Sequence, residues 1–208
     1  LPVEKLNSRE LYSLFNEFRL HEKFVDVIVK VEEREFPCHR VILASALSYF
    51  RSMFCGNYNE AEKKEIELRG VRATDFELLL TYIYNATVRF NDDNVYRLLK
   101  ISHYLCLKNL EELCIDYVSK NAEVIAIDTA INIFMFASKV KNMVLLDKLT
   151  ERVAKNFVCA SRREKFLFIS GADLLKVFSH PILRCDSLSI LNFLSEWMKI
   201  QSKDSREI

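Results

Sequence analysis

The chain has 208 residues, half of them apolar and 28% charged, which is the composition of a globular rather than a disordered protein. Its formal net charge is +1, so it lacks the basic excess of a typical nucleic-acid-binding protein. With only three glycines and three prolines, it is predicted to be mostly helical and to build no glycine-rich phosphate loop, nucleophile elbow or propeller blade.

The N-terminal residues predict a helix followed by a β-hairpin. Apolar residues recur with the i, i+3, i+4, i+7 spacing of an amphipathic helix over residues 8–20, at Leu11, Leu14, Phe15 and Phe18. Valines then alternate with other residues over 25–31, which predicts a strand. A second strand is expected to end near Pro37, because proline cannot donate to a strand ladder.

Short elements are predicted between residues 39 and 90. Two helices are expected over 39–46 and 48–54, and a short strand over 66–68. The clearest helical periodicity lies over 74–84, with Thr74 or Asp75 as its cap. A further short strand is expected over residues 88–90, from Val88 to Phe90.

The remainder of the chain predicts helices alone. Helices are expected over 95–102 and 110–118, and no strand pattern follows residue 121. The sequence thus predicts an α+β part of about 120 residues, with helices around a small sheet, followed by an all-α part, the two packing together.

The sequence offers no clear catalytic or metal-binding constellation. The four histidines, His21, His39, His103 and His180, match no metal-ligand spacing, and the six cysteines form no C-x-x-C pair. Reduced thiols in the protein core are the expected state, which fits a cytoplasmic or nuclear protein. We expect no catalytic residue, no metal, no cofactor and, because no apolar run reaches about 18 residues, no membrane span.

The remaining interpretation is a protein that acts by binding other proteins. The run from Tyr49 to Phe54 carries more large apolar side chains than one short helix usually buries, and aromatic residues, Met and Arg are enriched in interfaces. The first helix presents an apolar stripe that needs a partner surface. From the residues alone, packing of all these side chains into the core remains an equal alternative.

Four motifs resemble the BTB (POZ) domain in sequence, order and spacing. They are Phe24-x-Asp26-Val27, the run FPCHRVILAS at 36–45, the run YFRSMF at 49–54, and Leu79-x-x-Tyr82-Ile83-Tyr84. The resemblance covers residues from about 5 to 120 and places the BTB domain at 1–120, and Leu47 stands where the family usually has serine. The helical part, residues 121–208, resembles the 3-box and BACK domain of Kelch-like proteins through the residues Ala137, Phe157, Phe166, Leu167, Leu174, Leu175 and Trp197.

The resemblance implies a fragment of a substrate adaptor for a cullin-3 RING ubiquitin ligase. Its BACK part is expected to be incomplete, and protein substrates would bind a C-terminal domain, such as a Kelch propeller, outside this sequence. The BTB domain would form a homodimer through the residues Leu11, Leu14, Phe15, Phe18, Asp26 and Arg40. The N-terminal domain of cullin-3 would bind the residues Tyr49, Phe50, Met53, Phe54, Tyr58, Asn59, Glu60, Tyr104 and Lys108.

Two other functions stay open at this stage. A BTB-based dimeric scaffold, either a transcriptional corepressor platform or a cytoskeletal organiser, would not bind a cullin. Tyr58 bears on this choice, since the cullin-binding hydrophobic-x-Glu motif of the family usually begins with Met or Leu. A stand-alone enzyme would require a polar cluster that the sequence does not display.

Overall fold

A computed structural model describes residues 8–56 and 62–204. The chain divides into two compact units between Cys114 and Ile115. The first unit contains the helices and strands α1 Ser8–Leu20, β1 Val27–Val31, β2 Arg34–Cys38, α2 Arg40–Ala46, α3 Ser48–Cys55, β3 Glu65–Glu67, α4 Ala73–Asn85 and α5 Val95–Tyr104. The helix α6, Lys108–Asn121, begins in the first unit, and the second unit continues with α7 Ile127–Val140, α8 Met143–Lys155, α9 Phe157–Ser161, a 3-10 helix Glu164–Phe168, α10 Gly171–Phe178 and α11 Ser187–Asp204.

These elements confirm the predicted arrangement, an α+β unit with helices around a small sheet followed by an all-helical unit. The predicted helix over 8–20, the hairpin and the pair of short helices are all present. The second unit is helical throughout its described part, as the absence of a period-two pattern indicates.

A three-stranded sheet with the order β2-β1-β3 forms the centre of the first unit. β1 pairs antiparallel with β2 and parallel with β3. The alternating side chains of Val27, Val29 and Val31 are buried, so the valine pattern marks the face that packs into the core.

Pro37 lies inside β2, one residue before its end, opposite Ile28. The backbone N–H of Ile28 donates to Lys64 on the β3 side at 2.8 Å, so Ile28 and Pro37 form a pair without mutual hydrogen bonds. The proline nitrogen therefore faces the free edge of the sheet, where a missing donor costs nothing.

Two sequence predictions in the first unit are wrong. Residues 88–90 form no strand, because none of the three described strands pairs with them. Neither Thr74 nor Asp75 caps α4, because the helix begins at Ala73 and both residues lie inside it. The Asp75 carboxylate is buried and accepts hydrogen bonds from Arg72 at 3.0 and 3.2 Å and from Arg97 at 2.5 Å.

The second unit is built around an αα-hairpin and an aromatic cluster. Lys141, in the left-handed conformation, ends α7, and the Asn142 side chain caps α8 by accepting from the backbone of Leu145. The ring centroid of Phe157 lies 5.3 Å from that of Phe178 and 5.4 Å from that of Phe193. Among the described helices, none combines the length and apolar character needed to span a membrane.

Candidate protein-binding site

The helix α3 was predicted to dock a partner, and the structure divides its apolar residues between the core and the surface. Phe50 is fully buried. The centroid of its ring lies 5.2 Å from that of Tyr49 and 5.5 Å from that of Phe54. Tyr49, Met53 and Phe54 are partly exposed. Leu47, the residue that precedes α3, is also fully buried, so the start of the helix and Phe50 both face the core. The prediction that Phe50 contacts cullin-3 is therefore not retained.

Arg51 holds α3 against the end of α2. Its Nε donates to the carbonyl of Ala44 and its Nη2 to the carbonyl of Ser45, both at 2.9 Å. The last carbonyls of a helix have no partner within the helix, so this side chain satisfies two of them from outside. The angle between α2 and α3 is thus fixed by a charged donor as well as by packing.

A shallow groove runs between α2 and α3 on the surface of the first unit. It is lined by Arg40, Val41, Ala44, Ser45, Arg51, Phe54 and Cys55. Val41 is 72% exposed, and the Cys55 thiol is also exposed. The groove combines apolar walls with two guanidinium groups, which is the composition of many protein-binding surfaces.

Asp26 and Arg40, predicted as a charged pair at a dimer interface, make local contacts within the unit. The Asp26 carboxylate accepts a hydrogen bond from the backbone N–H of Arg40 at 2.7 Å and so caps the start of α2. The Arg40 side chain donates to the carbonyls of Asp26 and Lys63, and its guanidinium carbon lies 4.7 Å from the ring centroid of Phe54. Arg40, a predicted dimer residue, therefore contacts Phe54 of α3, the helix predicted to bind cullin-3.

The helix α1 carries the other predicted dimer residues. Leu11 and Leu14 are 38% and 42% exposed, whereas Phe15 and Phe18 are partly buried. The ring of Phe18 meets that of Phe24 edge to face at 5.2 Å, and α1 packs on α4. One side of α1 therefore packs within its own unit, and the apolar side chains of Leu11 and Leu14 on the helix remain exposed.

Two predicted cullin-binding residues lie near the α5–α6 turn. Tyr104 is 49% exposed and donates from its hydroxyl to the carbonyl of Arg69 at 3.0 Å, and Lys108 is exposed at the start of α6. This hydrogen bond fixes the Tyr104 side chain to the backbone of Arg69. Tyr58, Asn59 and Glu60 lie outside the described residues.

Sequence reasoning missed the buried polar pair that supports α2. The backbone N–H of His39 donates to the Tyr84 hydroxyl at 3.0 Å, and that hydroxyl also lies 3.0 Å from His39 Nδ1. His39 Nε2 lies 2.8 Å from the carbonyl of Lys23, which makes Nε2 the protonated nitrogen and Nδ1 the acceptor. Burial is the main reason that the pKa of Tyr84 is raised, so its hydroxyl remains a donor. The position of His39 directly before a predicted helix could have indicated a structural role for this side chain. A search for metal-ligand spacing among the histidines does not detect such a role.

The described residues show no cluster of metal ligands, and their thiols differ in burial. They contain no group of three or more His, Cys, Asp or Glu side chains that could hold a metal ion. Burial raises the pKa of both Cys38 and Cys114 to about 12, so these thiols stay protonated near neutral pH. Cys55, Cys106 and Cys159 are exposed and Cys185 is half-buried.

Thiol labelling of the native protein should separate these cysteines into classes. Cys55, Cys106 and Cys159 are expected to react quickly with a disulfide reagent, Cys185 more slowly, and Cys38 and Cys114 only after unfolding. Mass spectrometry of labelled peptides, with a sample in denaturant as control, identifies each site. Fast native labelling of Cys38 or Cys114 would contradict the assigned core.

The fold and these contacts can be compared with known proteins. The profile of the BTB/POZ domain matches residues 15–122. The chain belongs to the BTB/POZ domain family. The solved structure of the BTB domain of zebrafish PATZ1 is 25% identical, with a TM-score of 0.50, and the match covers 58% of this chain and 99% of that one.

Kelch-like proteins resemble this BTB/POZ chain beyond the BTB domain itself. Human Kelch-like protein 24 is 30% identical over 169 residues, which cover 81% of this chain and 28% of the relative. Kelch-like protein 40 of Xenopus tropicalis is 29% identical over 91% of this chain and 31% of the relative, and human Kelch repeat and BTB domain-containing protein 8 is 27% identical over 86% and 29%. The chain therefore spans less than a third of these relatives, and its BTB domain indicates protein–protein interaction.

Proposed function

We propose that this chain is the part of a ubiquitin-ligase substrate adaptor that homodimerises and recruits the N-terminal domain of cullin-3. The observation that carries the proposal is the outward side of α3, where Tyr49, Met53 and Phe54 stay partly exposed while Phe50 anchors the helix in the core. Similarity to Kelch-like proteins over 81–91% of the chain supports the same function.

The proposed docking surface keeps all but one of the residues that the sequence suggested. It consists of Tyr49, Met53, Phe54, Tyr58, Asn59, Glu60, Tyr104 and Lys108. Burial of each large apolar side chain against a cullin helix could contribute about 1.5–3 kcal/mol before the costs of association. Glu60 would orient the bound cullin through a polar or helix-capping contact and would contribute little affinity.

Homodimerisation is proposed to use α1. Leu11 and Leu14 are three positions apart and exposed together, so they form the centre of the proposed contact, with Phe15 and Phe18 at its edge. A dimer would present two cullin sites and two substrate sites in one assembly. The paired sites would increase avidity for a substrate that carries two epitopes.

The adaptor would make and break no bonds of its own. It would hold a protein substrate, bound by a C-terminal domain outside this sequence, close to the ubiquitin-charged enzyme that the cullin recruits. We place the BTB domain at residues 1–120 and the 3-box with part of a BACK domain at 121–208. The free cysteines support a cytoplasmic or nuclear location for such a protein.

A dimeric scaffold without a cullin is the second candidate. The observation that favours it is Tyr58, which replaces the Met or Leu that usually begins the hydrophobic-x-Glu motif. Such a scaffold would keep the α1-mediated dimer and the interaction surfaces but would have no affinity for cullin-3.

The double substitution Tyr58→Ala/Glu60→Ala distinguishes the two candidates. If the chain is a cullin-3 adaptor, the double variant should bind the cullin-3 N-terminal domain at least roughly tenfold more weakly, because one apolar and one polar contact are lost. Isothermal titration measures the affinity, and light scattering must show an unchanged dimer. Equal affinities for the variant and the parent protein would refute the assigned interface.

A further inference from the structure

Arg40 is in contact with three separate segments of the first unit. Its backbone N–H is held by the Asp26 carboxylate, and its Nε donates to the Asp26 carbonyl at 3.4 Å. Its Nη2 donates to the carbonyl of Lys63. Its guanidinium also stacks over Phe54, with 4.7 Å between the guanidinium carbon and the ring centroid.

The segments that Arg40 joins lie at the two ends of the link between α3 and β3. Phe54 lies in the last turn of α3, and Lys63 lies two residues before β3 begins. The next residue, Lys64, accepts a hydrogen bond from Ile28 at 2.8 Å, so the segment that Arg40 holds is also fixed to β1. Arg40 is thus the bridge between the docking helix and the sheet.

We propose that Arg40 is a positioning residue for the docking surface, setting where the C-terminal turn of α3 lies relative to the entry into β3. This role rests on the proposed function and differs from the dimer-interface role that the sequence suggested. Arg40 acts through Phe54, whose ring it covers and which also stacks on the ring of the core residue Phe50.

Only arginine can make this set of contacts. Its guanidinium is planar, so it can stack on a ring while donating sideways from two nitrogens, whereas lysine carries one compact ammonium. Arg40→Lys therefore keeps the charge and, since the backbone is unchanged, also the hydrogen bond from the backbone N–H to the Asp26 carboxylate. It removes the bridge between Phe54 and Lys63.

The same unit provides a matched control. The guanidinium of Arg34 lies 4.9 Å from the ring of Phe36 and makes two hydrogen bonds to Glu77, at 2.9 and 3.0 Å. Arg34 therefore also combines a ring contact with charged hydrogen bonds, but it lies on β2 and these contacts involve neither α3 nor residues 62–64. Arg34→Lys should perturb stability to a similar extent and leave docking unchanged.

The experiment compares Arg40→Lys, Arg34→Lys and the parent protein in three measurements. Titration with the cullin-3 N-terminal domain should show roughly tenfold weaker binding for Arg40→Lys alone, because the last turn of α3 is no longer held in place before docking and must be ordered on binding. Light scattering should give the same dimer for all three. Amide hydrogen exchange without cullin should be faster over residues 54–56 and 62–64 in Arg40→Lys only.

The exchange measurement separates this inference from the proposed function. If the parent protein does not bind cullin-3, the proposed function fails, yet faster exchange at both segments in Arg40→Lys still supports the bridging role. Unchanged exchange would overturn the role whatever the cullin result. Loss of the dimer in Arg40→Lys, with exchange unaltered, would also overturn it and return Arg40 to the dimer interface.

Discussion

Replacing Phe50 by alanine is expected to lower the free energy of unfolding by about 3–5 kcal/mol, the usual cost of removing a buried aromatic ring. The Phe50 side chain is fully buried and packs between the rings of Tyr49 and Phe54, so its loss opens a cavity beneath α3. Urea denaturation followed by circular dichroism measures the change directly.

Tyr49→Ala on the same helix is the control for this prediction. Tyr49 is partly exposed, so its truncation should cost clearly less stability, about 1 kcal/mol, while weakening docking to cullin-3. The reverse pattern would contradict the structure. A Phe50→Ala protein with unchanged stability and no cullin binding would restore Phe50 to the docking surface.

Alkaline pH is expected to destabilise the fold through the two buried thiols. Burial raises the pKa of Cys38 and of Cys114 from the usual 9.0 to about 12, so the folded state keeps both protons at a pH where the unfolded chain loses them. The free energy of unfolding is therefore unaffected by these thiols below about pH 9. It falls as the pH rises towards 12, by about 1.4 kcal/mol per pH unit for each thiol.

Urea denaturation at about pH 8 and about pH 10.5 tests this dependence. The double variant Cys38→Ala/Cys114→Ala should lose less stability than the parent between these values, because alanine cannot ionise. The comparison uses the change with pH, so the neutral-pH cost of the substitutions cancels. Equal losses in the two proteins would show that the buried thiols do not control alkaline stability.

Much of the first unit follows from local sequence patterns. The alternating valines identify β1 and its buried face, and the helical periodicity identifies the helices. The expected strand at 88–90 fails because strand propensity forms no strand without a neighbouring strand to pair with. The parallel pairing of β3 with β1 has no signal in the sequence either, because it depends on the path of the chain between them.

The candidate site was only partly predictable for a related reason. A run such as Tyr49-Phe50-Arg51-Ser52-Met53-Phe54 shows that α3 has excess apolar surface, but on a two-turn helix it does not show which side meets the core. Asp26 and Arg40 were expected together, and they do lie together. Their contacts with α2, Lys63 and Phe54 depend on tertiary geometry, which no spacing rule encodes.

Titration of this chain with the N-terminal domain of cullin-3, with light scattering of the same samples, tests the central claim most directly. The proposed adaptor function predicts a sub-micromolar 2:2 complex in which the chain remains a dimer. A stable dimer that does not bind cullin-3 would contradict the claim and favour the scaffold, with Tyr58 as the first residue to change.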